Sequence, residues 1–110
     1  MFSKKRNHKR ANEIRTNYNL KKGRGHPAWI FEKDGQNYTF FRITHAKTTH
    51  KTKNIALIKN PNPNDNSSCY ARPKPFSDKT KNFGKIHKGW KLTRRDRKKL
   101  LKKRSSGSET

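Results

Sequence analysis

The sequence predicts a mainly β domain with one C-terminal α-helix and a disordered basic arm at the N-terminus. Three features lead to this expectation. Apolar and aromatic residues are densest in the stretch 25–45, where two runs flank an Asp34-Gly35 pair. Such a pair is a strong signal for a β-hairpin with a type I′ turn, because both central residues of that turn need positive φ. Cations dominate both ends of the chain, and a helix-start signal lies at Thr93.

The N-terminal arm is expected to span residues 1–24. Nine Lys and Arg side chains stand there against one acidic residue, and apolar residues are few. A segment of this composition buries too little apolar surface to offset its conformational entropy, so it stays disordered until it meets phosphates. We therefore expect no apolar strand before Gly25. Residues 105–110, which are rich in Ser and Gly, are expected to form a disordered tail.

The folded domain is expected over residues 25–104, and local signals predict its strands. Pro27 cannot donate to a sheet ladder, so it should open the first strand of the hairpin. A third strand is predicted over 54–58 and a fourth over 69–76, separated by a loop rich in Asn and Pro. The fourth strand contains two prolines, which require an edge position or a bulge.

A helix is predicted from Arg94 to Arg104. Thr93 and Asp96 resemble a capping box, in which the Thr93 hydroxyl accepts a backbone N–H and the carboxylate lies near the positive helix end. Leu100 and Leu101 should dock on the sheet, so the Lys- and Arg-rich face should point outward. That face is expected to contact phosphates.

The charge balance indicates a polyanionic partner. Thirty Lys and Arg residues against seven Asp and Glu residues give a formal net charge of +23 and a pI near 10.9. Self-repulsion of this size destabilises a compact state, whereas release of counterions from nucleic acid supplies affinity. RNA, or alternatively DNA, is therefore the expected partner. An anionic membrane surface is the rival partner for a basic chain, but nucleic acid is favoured, and no apolar run approaches the length of a spanning helix. We therefore expect no membrane partner.

Cysteine and histidine usage predicts neither a disulfide nor a bound metal. The single Cys69 has no intramolecular partner, which fits a reducing cytoplasm, and its place before Tyr70 favours a small buried side chain. Neither a Cys-x-x-Cys nor a His-Glu-x-x-His spacing occurs. We expect a cytoplasmic protein without a metal site or a cofactor.

Four short motifs follow one another in the order found in a known family. They are His26-Pro27-Ala28-Trp29-Ile30, Ile43-Thr44-His45, Asp78-Lys79 with Phe83-Gly84-Lys85, and Lys91-Leu92-Thr93-Arg94-Arg95-Asp96. Over residues 25–101 the chain thus resembles the PemK/MazF-like toxins. The resemblance implies an SH3-like, partly open barrel, a metal-independent endoribonuclease activity and an acidic antitoxin partner. A homodimer is expected on a different ground, since a domain with so small a core is only marginally stable alone. The family's first apolar strand has no counterpart in the expected arm.

The resemblance also implies a catalytic site at the end of the hairpin. The family's strand-opening Arg falls on His26, and its Thr falls on Thr44. A histidine can act as acid or base near neutral pH, but it lacks the bidentate fork of arginine. Arg42 shares a face with Thr44 in a regular strand and can supply the missing charge, whereas His45 should point to the opposite face. His26, Arg42 and Thr44 are therefore the predicted catalytic residues.

A non-catalytic RNA- or DNA-binding protein, for example a ribosome-associated one, is the alternative that the sequence leaves open. Basic flanks and aromatic side chains suit either function, and Tyr38 and Tyr70 are the better candidates for base stacking. The residues expected to contact nucleic acid are Arg24, His45, Lys47, Lys51, Lys53, Arg72, Lys74, Lys79, Lys85, Arg94 and Arg95.

Overall fold

A computed structural model describes residues 8–18 and 25–108, with side chains for 9–18 and 25–104. The expected mainly β architecture is confirmed: a curled half-barrel sheet carries one helix at its C-terminal end. The elements are β1 (His8–Asn17), β2 (His26–Asp34), β3 (Asn37–Thr44), β4 (Thr48–Thr49), β5 (Thr52–Lys53), β6 (Ile55–Ala56), β7 (Tyr70–Ala71), β8 (Phe76–Lys79), a 3-10 helix (Thr80–Asn82), β9 (Phe83–Ile86) and α1 (Arg94–Ser108).

Three long antiparallel strands form the centre of the sheet, with β2 between β1 and β3. Strand β9 pairs with the free side of β1, and β8 pairs with β3. Because only the 3-10 helix separates β8 from β9 along the chain, the two sides of the sheet must approach each other, and the sheet curls. Strand β7 pairs with the last residues of β3, and β6 pairs with β7.

The central strands are buried on both faces, so the sheet carries two apolar clusters. The outer cluster joins Trp29 and Phe41 to Leu100 of α1, as the predicted docking of the helix requires. The inner cluster joins Ile30 and Phe40 to partly buried aromatic rings of β3, β8 and β9. Successive side chains of a strand point to opposite faces. Burial of both faces therefore explains why the apolar runs of β2 and β3 are nearly uninterrupted.

Strand β1 corrects the expected N-terminal arm. Residues 8–17 lie in the predicted disordered segment, yet they pair with β2 on one side and with β9 on the other. Ile14 is 1% exposed in the outer cluster, and the indole N–H of Trp29 donates to Asn12 Oδ1 at 2.8 Å. One large apolar anchor suffices because the backbone pairs with β2 along most of the strand and with β9 at Arg15 and Asn17.

The sheet therefore has a first strand ahead of His26, in a segment where no strand was expected. It is a basic strand rather than an apolar one. Residues 1–7 and 19–24, which make up the rest of the expected arm, lie outside the described residues.

The β2–β3 turn lies one residue further along the chain than predicted. Asp34 pairs with Asn37, so the loop is Gly35-Gln36, and Gly35 has φ of 62°. The prediction of a type I′ turn centred on Asp34-Gly35 is wrong, because Asp34 still belongs to the ladder. Two consecutive positive φ values, which type I′ turns require, occur instead at His50 (50°) and Lys51 (65°), in the β4–β5 hairpin.

Proline divides the predicted fourth strand into two. Strand β7 ends at Ala71 and β8 begins at Phe76, with Pro73 and Pro75 between them. Neither proline can donate to a ladder, so the chain leaves the sheet and rejoins it on the other part of β3. The predicted third strand is likewise shorter than expected, because only Ile55–Ala56 pairs.

Helix α1 begins at Arg94, as predicted, and extends past the predicted end to Ser108. The backbone N–H of Asp96 donates to the Thr93 hydroxyl at 3.0 Å, which confirms that half of the capping box. The expected disordered tail is wrong as far as Ser108, since extending an existing helix is easier than nucleating one. Residues 109–110 lie outside the description.

Within the described residues no helix is both long and apolar enough to cross a membrane.

Candidate functional site

A pocket of about 320 Å³ lies where β2 begins and β3 ends. The loop 59–68 and the segment between β9 and α1 complete its walls. Apolar surface comes from Pro27, Ile43, Pro61 and Trp90. Apolar walls with a few convergent polar groups are typical of a small-ligand site. The polar side chains that line it are His26, Thr44, His45, Asn60, Asn62 and Asp65.

Strand register explains why His26 and Thr44 share this pocket. Ala28 of β2 pairs with Arg42 of β3. Two residues further along the same antiparallel register, His26 comes opposite Thr44. The structure thus brings two of the three predicted catalytic side chains to one pocket. The Thr44 hydroxyl accepts the backbone N–H of Ala46 at 3.1 Å, which leaves its own proton for another acceptor.

His45 lies in the same pocket as Thr44, so the expectation that it points away is wrong. Regular alternation ends with β3 at Thr44, and His45 occupies the bend that follows. Its Nε2 is 3.3 Å from Asp65 Oδ2. Hydrogen bonds from the hydroxyl and backbone N–H of Ser67 lower the pKa of Asp65, with a smaller contribution from His45. Asp65 is therefore an anion that can orient the His45 ring at neutral pH.

Arg42, the third predicted catalytic residue, does not line the pocket. Its guanidinium carbon lies 4.7 Å from the centroid of the Phe76 ring, at the inner cluster. Its Nε is buried and has no acceptor among the described residues. Burial lowers the pKa of Arg42, the charge of Arg72 lowers it further, and Asp78 opposes the shift. The pocket therefore lacks the fixed cation that we expected from Arg42.

Cys69 lines the pocket but is 4% exposed and belongs to the outer cluster, which confirms its expected role as a small buried side chain. Burial raises the pKa of its thiol to about 11. The thiol is therefore protonated at neutral pH, and since the thiolate is the nucleophile, Cys69 is a poor one.

Exposed cations occur along much of the described chain, and two groups of them lie on, or directly beside, a single hairpin and a single helix. The hairpin cations, on and beside β4–β5, are Lys47, Lys51 and Lys53. The helix cations, on α1, are Arg94, Arg95, Lys98, Lys102, Lys103 and Arg104.

The other predicted contact residues are placed differently. Lys74, Lys79 and Lys85 are also exposed. Arg72 is half-buried and donates to Asn54 Oδ1 at 2.6 Å, so it supports the base of the β4–β5 hairpin. Arg24 lies outside the described residues.

Several acidic side chains are engaged inside the fold, although Glu32 Oε2 lies 3.9 Å from Nη1 of Arg104, one of the helix cations. Glu13 lies 2.6 Å from Arg15 Nε and 3.5 Å from Lys33 Nζ. Asp96 is fully buried, and its two carboxylate oxygens accept the backbone N–H of Ile58 at 2.9 and 3.1 Å. This second contact of Asp96 cannot be read from the sequence, because capping-box spacing reveals only the partner at the start of the helix.

Neither Tyr38 nor Tyr70, the two residues expected to stack on bases, lines the pocket. The Tyr38 ring meets the Phe83 ring edge-on at 4.9 Å, and Arg15 lies over it at 5.5 Å, so Tyr38 belongs to the fold. Tyr70 is half-buried in β7. The aromatic ring at the pocket is that of Trp90, which stacks on His87 with 4.4 Å between centroids. In the sequence, the signal that could have identified Trp90 as a contact residue is its position after a glycine and between two lysines, in Lys88-Gly89-Trp90-Lys91.

In the part of the chain that the structure describes, no group of three or more His, Cys, Asp and Glu side chains is placed to hold a metal ion. Comparisons with protein-family models, with curated proteins and with solved structures each find no match to this chain. Its function is therefore inferred from its residues and their geometry.

Proposed function

We propose that this protein binds RNA through its hairpin cations and helix cations. The observation that carries the proposal is the exposure of both surfaces on a chain with a formal net charge of +23. A polyanion that lies along such surfaces releases condensed counterions, which favours binding without sequence readout. Single-stranded RNA is the proposed form, because a pocket beside the sheet can receive a nucleotide that has left its stack.

A second candidate function is cleavage of the bound RNA, and one observation favours it: His26, Thr44 and His45 share a pocket. Transesterification of RNA needs a base that removes the ribose 2′-OH proton and an acid that protonates the leaving 5′-oxygen. In the proposed reaction His45, oriented by Asp65, accepts that proton while the 2′-oxygen attacks phosphorus. His26 protonates the departing 5′-oxygen, and the products are a 2′,3′-cyclic phosphate and a free 5′-hydroxyl.

The remaining negative charge in this reaction lies on the phosphoryl oxygens. The Thr44 hydroxyl proton can be donated to one of them, since the hydroxyl only accepts in its bond with Ala46. No step requires a metal ion. In a cell this activity corresponds to a toxin, so expression should arrest growth, and an acidic antitoxin protein is the proposed partner.

Incubation of a long RNA with the purified protein in excess EDTA tests cleavage. We expect fragments with 2′,3′-cyclic phosphate ends, and we expect His26→Ala or Thr44→Ala to slow cleavage by about 10²-fold or more. Thr39→Ala is the matched control, because Thr39 lies on the same strand as Thr44, does not line the pocket and belongs to neither group of cations. If the protein shifts the RNA in a gel but does not cut it, RNA binding stands and cleavage is disproved. Cutting that survives both pocket variants would disprove the assignment.

A further inference from the structure

The indole of Trp90 is held firmly beside the pocket. The chain turns between His87 and Trp90, where Gly89 has φ of 83° and the Trp90 N–H donates to the His87 carbonyl at 3.2 Å. The two rings stack with 22° between their planes. His87 is itself anchored, since its Nε2 lies 2.9 Å from Thr16 Oγ1 on β1. Trp90 therefore reaches the pocket in a fixed orientation.

His87 covers one side of the indole, and it is not among the residues that line the pocket. Trp90 also packs against the outer cluster while bordering the pocket, so it presents part of an aromatic ring to any occupant. Pro27 and Pro61 add flat, apolar walls. At about 320 Å³ the pocket is at the small end of the usual range for ligand sites, which suits one planar heterocycle.

The loop opposite β2 is preorganised by its own side chains. The backbone N–H of Asn62 donates to Asn60 Oδ1 at 2.9 Å, and that of Asn64 donates to Asn62 Oδ1 at 2.9 Å. The backbone N–H of Lys91 donates to the Pro61 carbonyl at 3.2 Å, which ties this loop to the segment that carries Trp90. Amide side chains at the rim can pair with the polar edge of a ring whose face contacts the indole.

We propose that this pocket receives a single nucleobase of the bound RNA, stacked on Trp90, with its polar edge towards the loop 59–68. The inference rests on the proposed RNA binding and identifies the part of the RNA that the pocket recognises. The flanking phosphates then lie near His26 and His45, the titratable groups of the pocket rim besides Asp65. An aromatic side chain of an acidic protein is the competing occupant, and the experiment below distinguishes the two.

Two oligomers with equal numbers of phosphates test the inference with the full-length protein. One is a single-stranded 2′-O-methyl RNA, which the 2′-OH reaction cannot cut. The other is an abasic oligomer built from tetrahydrofuran units. We expect the base-containing oligomer to bind about tenfold more tightly, as one stacked base provides. Trp90→Leu should remove most of that difference while keeping apolar packing, and Trp90→Phe should retain much of it.

Tyr18→Ala is the matched control, because Tyr18 is an exposed aromatic residue (56% exposed) that does not line the pocket. Its variant should keep the preference for bases. Intrinsic fluorescence gives a second readout: Trp29 is 1% exposed, so quenching by the base-containing oligomer should report on Trp90 and vanish in Trp90→Phe. This readout decides the question even if Trp90→Leu fails to fold.

The outcomes separate this inference from the proposed function. If neither oligomer binds in dilute buffer, RNA binding itself is disproved. If both bind equally well and fluorescence is unchanged, RNA binding stands and the nucleobase pocket is wrong, which leaves the pocket to a protein side chain. A preference for bases that disappears in Tyr18→Ala and survives in Trp90→Leu would also overturn the assignment to this pocket.

Discussion

At the scale of single residues, Asp96 connects the helix to the sheet. Both oxygens of its buried carboxylate accept the backbone N–H of Ile58, which lies 38 residues away in the sequence. The backbone N–H of Asp96 donates to the Thr93 hydroxyl. Lys99 Nζ lies 3.6 Å from the same carboxylate. One side chain therefore stabilises the first turn of α1 and positions the helix cations relative to the sheet.

We expect Asp96→Asn to lower the free energy of unfolding by about 1–3 kcal/mol, because the side chain loses its charge and one of the two oxygens that accept from Ile58, and it buries an NH2 group in place of that oxygen. Urea denaturation followed by circular dichroism measures the change. Asp34→Asn is the matched control, since Asp34 is exposed at the end of β2. Equal midpoints for the two variants would show that the Asp96 contacts contribute little.

The parts of the candidate site that depend on strand ends could be predicted from short sequence motifs. His26-Pro27 and Ile43-Thr44 mark a strand start and a strand end, and antiparallel pairing brings such ends together. His45 was placed on the wrong face, because alternation holds only while the strand continues. Trp90 was missed as a pocket residue, since its position depends on the turn at Gly89 and on contacts with distant residues.

At the scale of elements, β1 shows how a basic segment can be structural. Its backbone pairs with β2 along most of its length and with β9 at Arg15 and Asn17, and Ile14 shares the outer cluster with Trp29. Exposed Lys9 and Arg10 do not disturb this arrangement, because they lie on the surface. The strand needs its neighbours, so composition alone predicts disorder for this segment.

We expect Ile14→Ala to destabilise the fold by about 2–5 kcal/mol, as for other large-to-small substitutions in a core. Arg10→Ala, an exposed substitution in the same strand, should change stability by about 0.5 kcal/mol or less. Thermal and urea unfolding measure both variants. A disordered arm would make the two substitutions equally silent, and that result would contradict the pairing of β1.

At the scale of the whole molecule, charge is separated from apolar packing. Both faces of the central strands are used for the two clusters, whereas α1 and the β4–β5 hairpin carry exposed cations. Such a distribution places positive potential at the surface and leaves the cores apolar. The proposed RNA binding should therefore depend steeply on salt.

Changing Lys98 and Lys102 together to Gln should weaken RNA binding and reduce the slope of log K against log salt concentration by about 1.4, or about 0.7 per lost phosphate contact on a single strand. The matched control changes Lys9 and Lys81, which are exposed outside the hairpin cations, the helix cations and the loop 59–68. Fluorescence titrations at several salt concentrations provide the slopes. An unchanged slope in the α1 variant would show that RNA does not lie along the helix cations.

The amino-acid sequence by itself determined the β content, the central hairpin, the start of α1 and the positive charge, because each follows from signals within a few residues or from composition. Tertiary structure decided the role of β1, the direction of His45, the second contact of Asp96 and the place of Trp90 at the pocket. These features depend on partners far along the chain: in β1, for example, Arg15 donates to the Gly84 carbonyl, and the Thr16 hydroxyl lies 2.9 Å from His87 Nε2. Strand pairing and side-chain packing stabilise these features, and local sequence propensity does not reveal such long-range contacts.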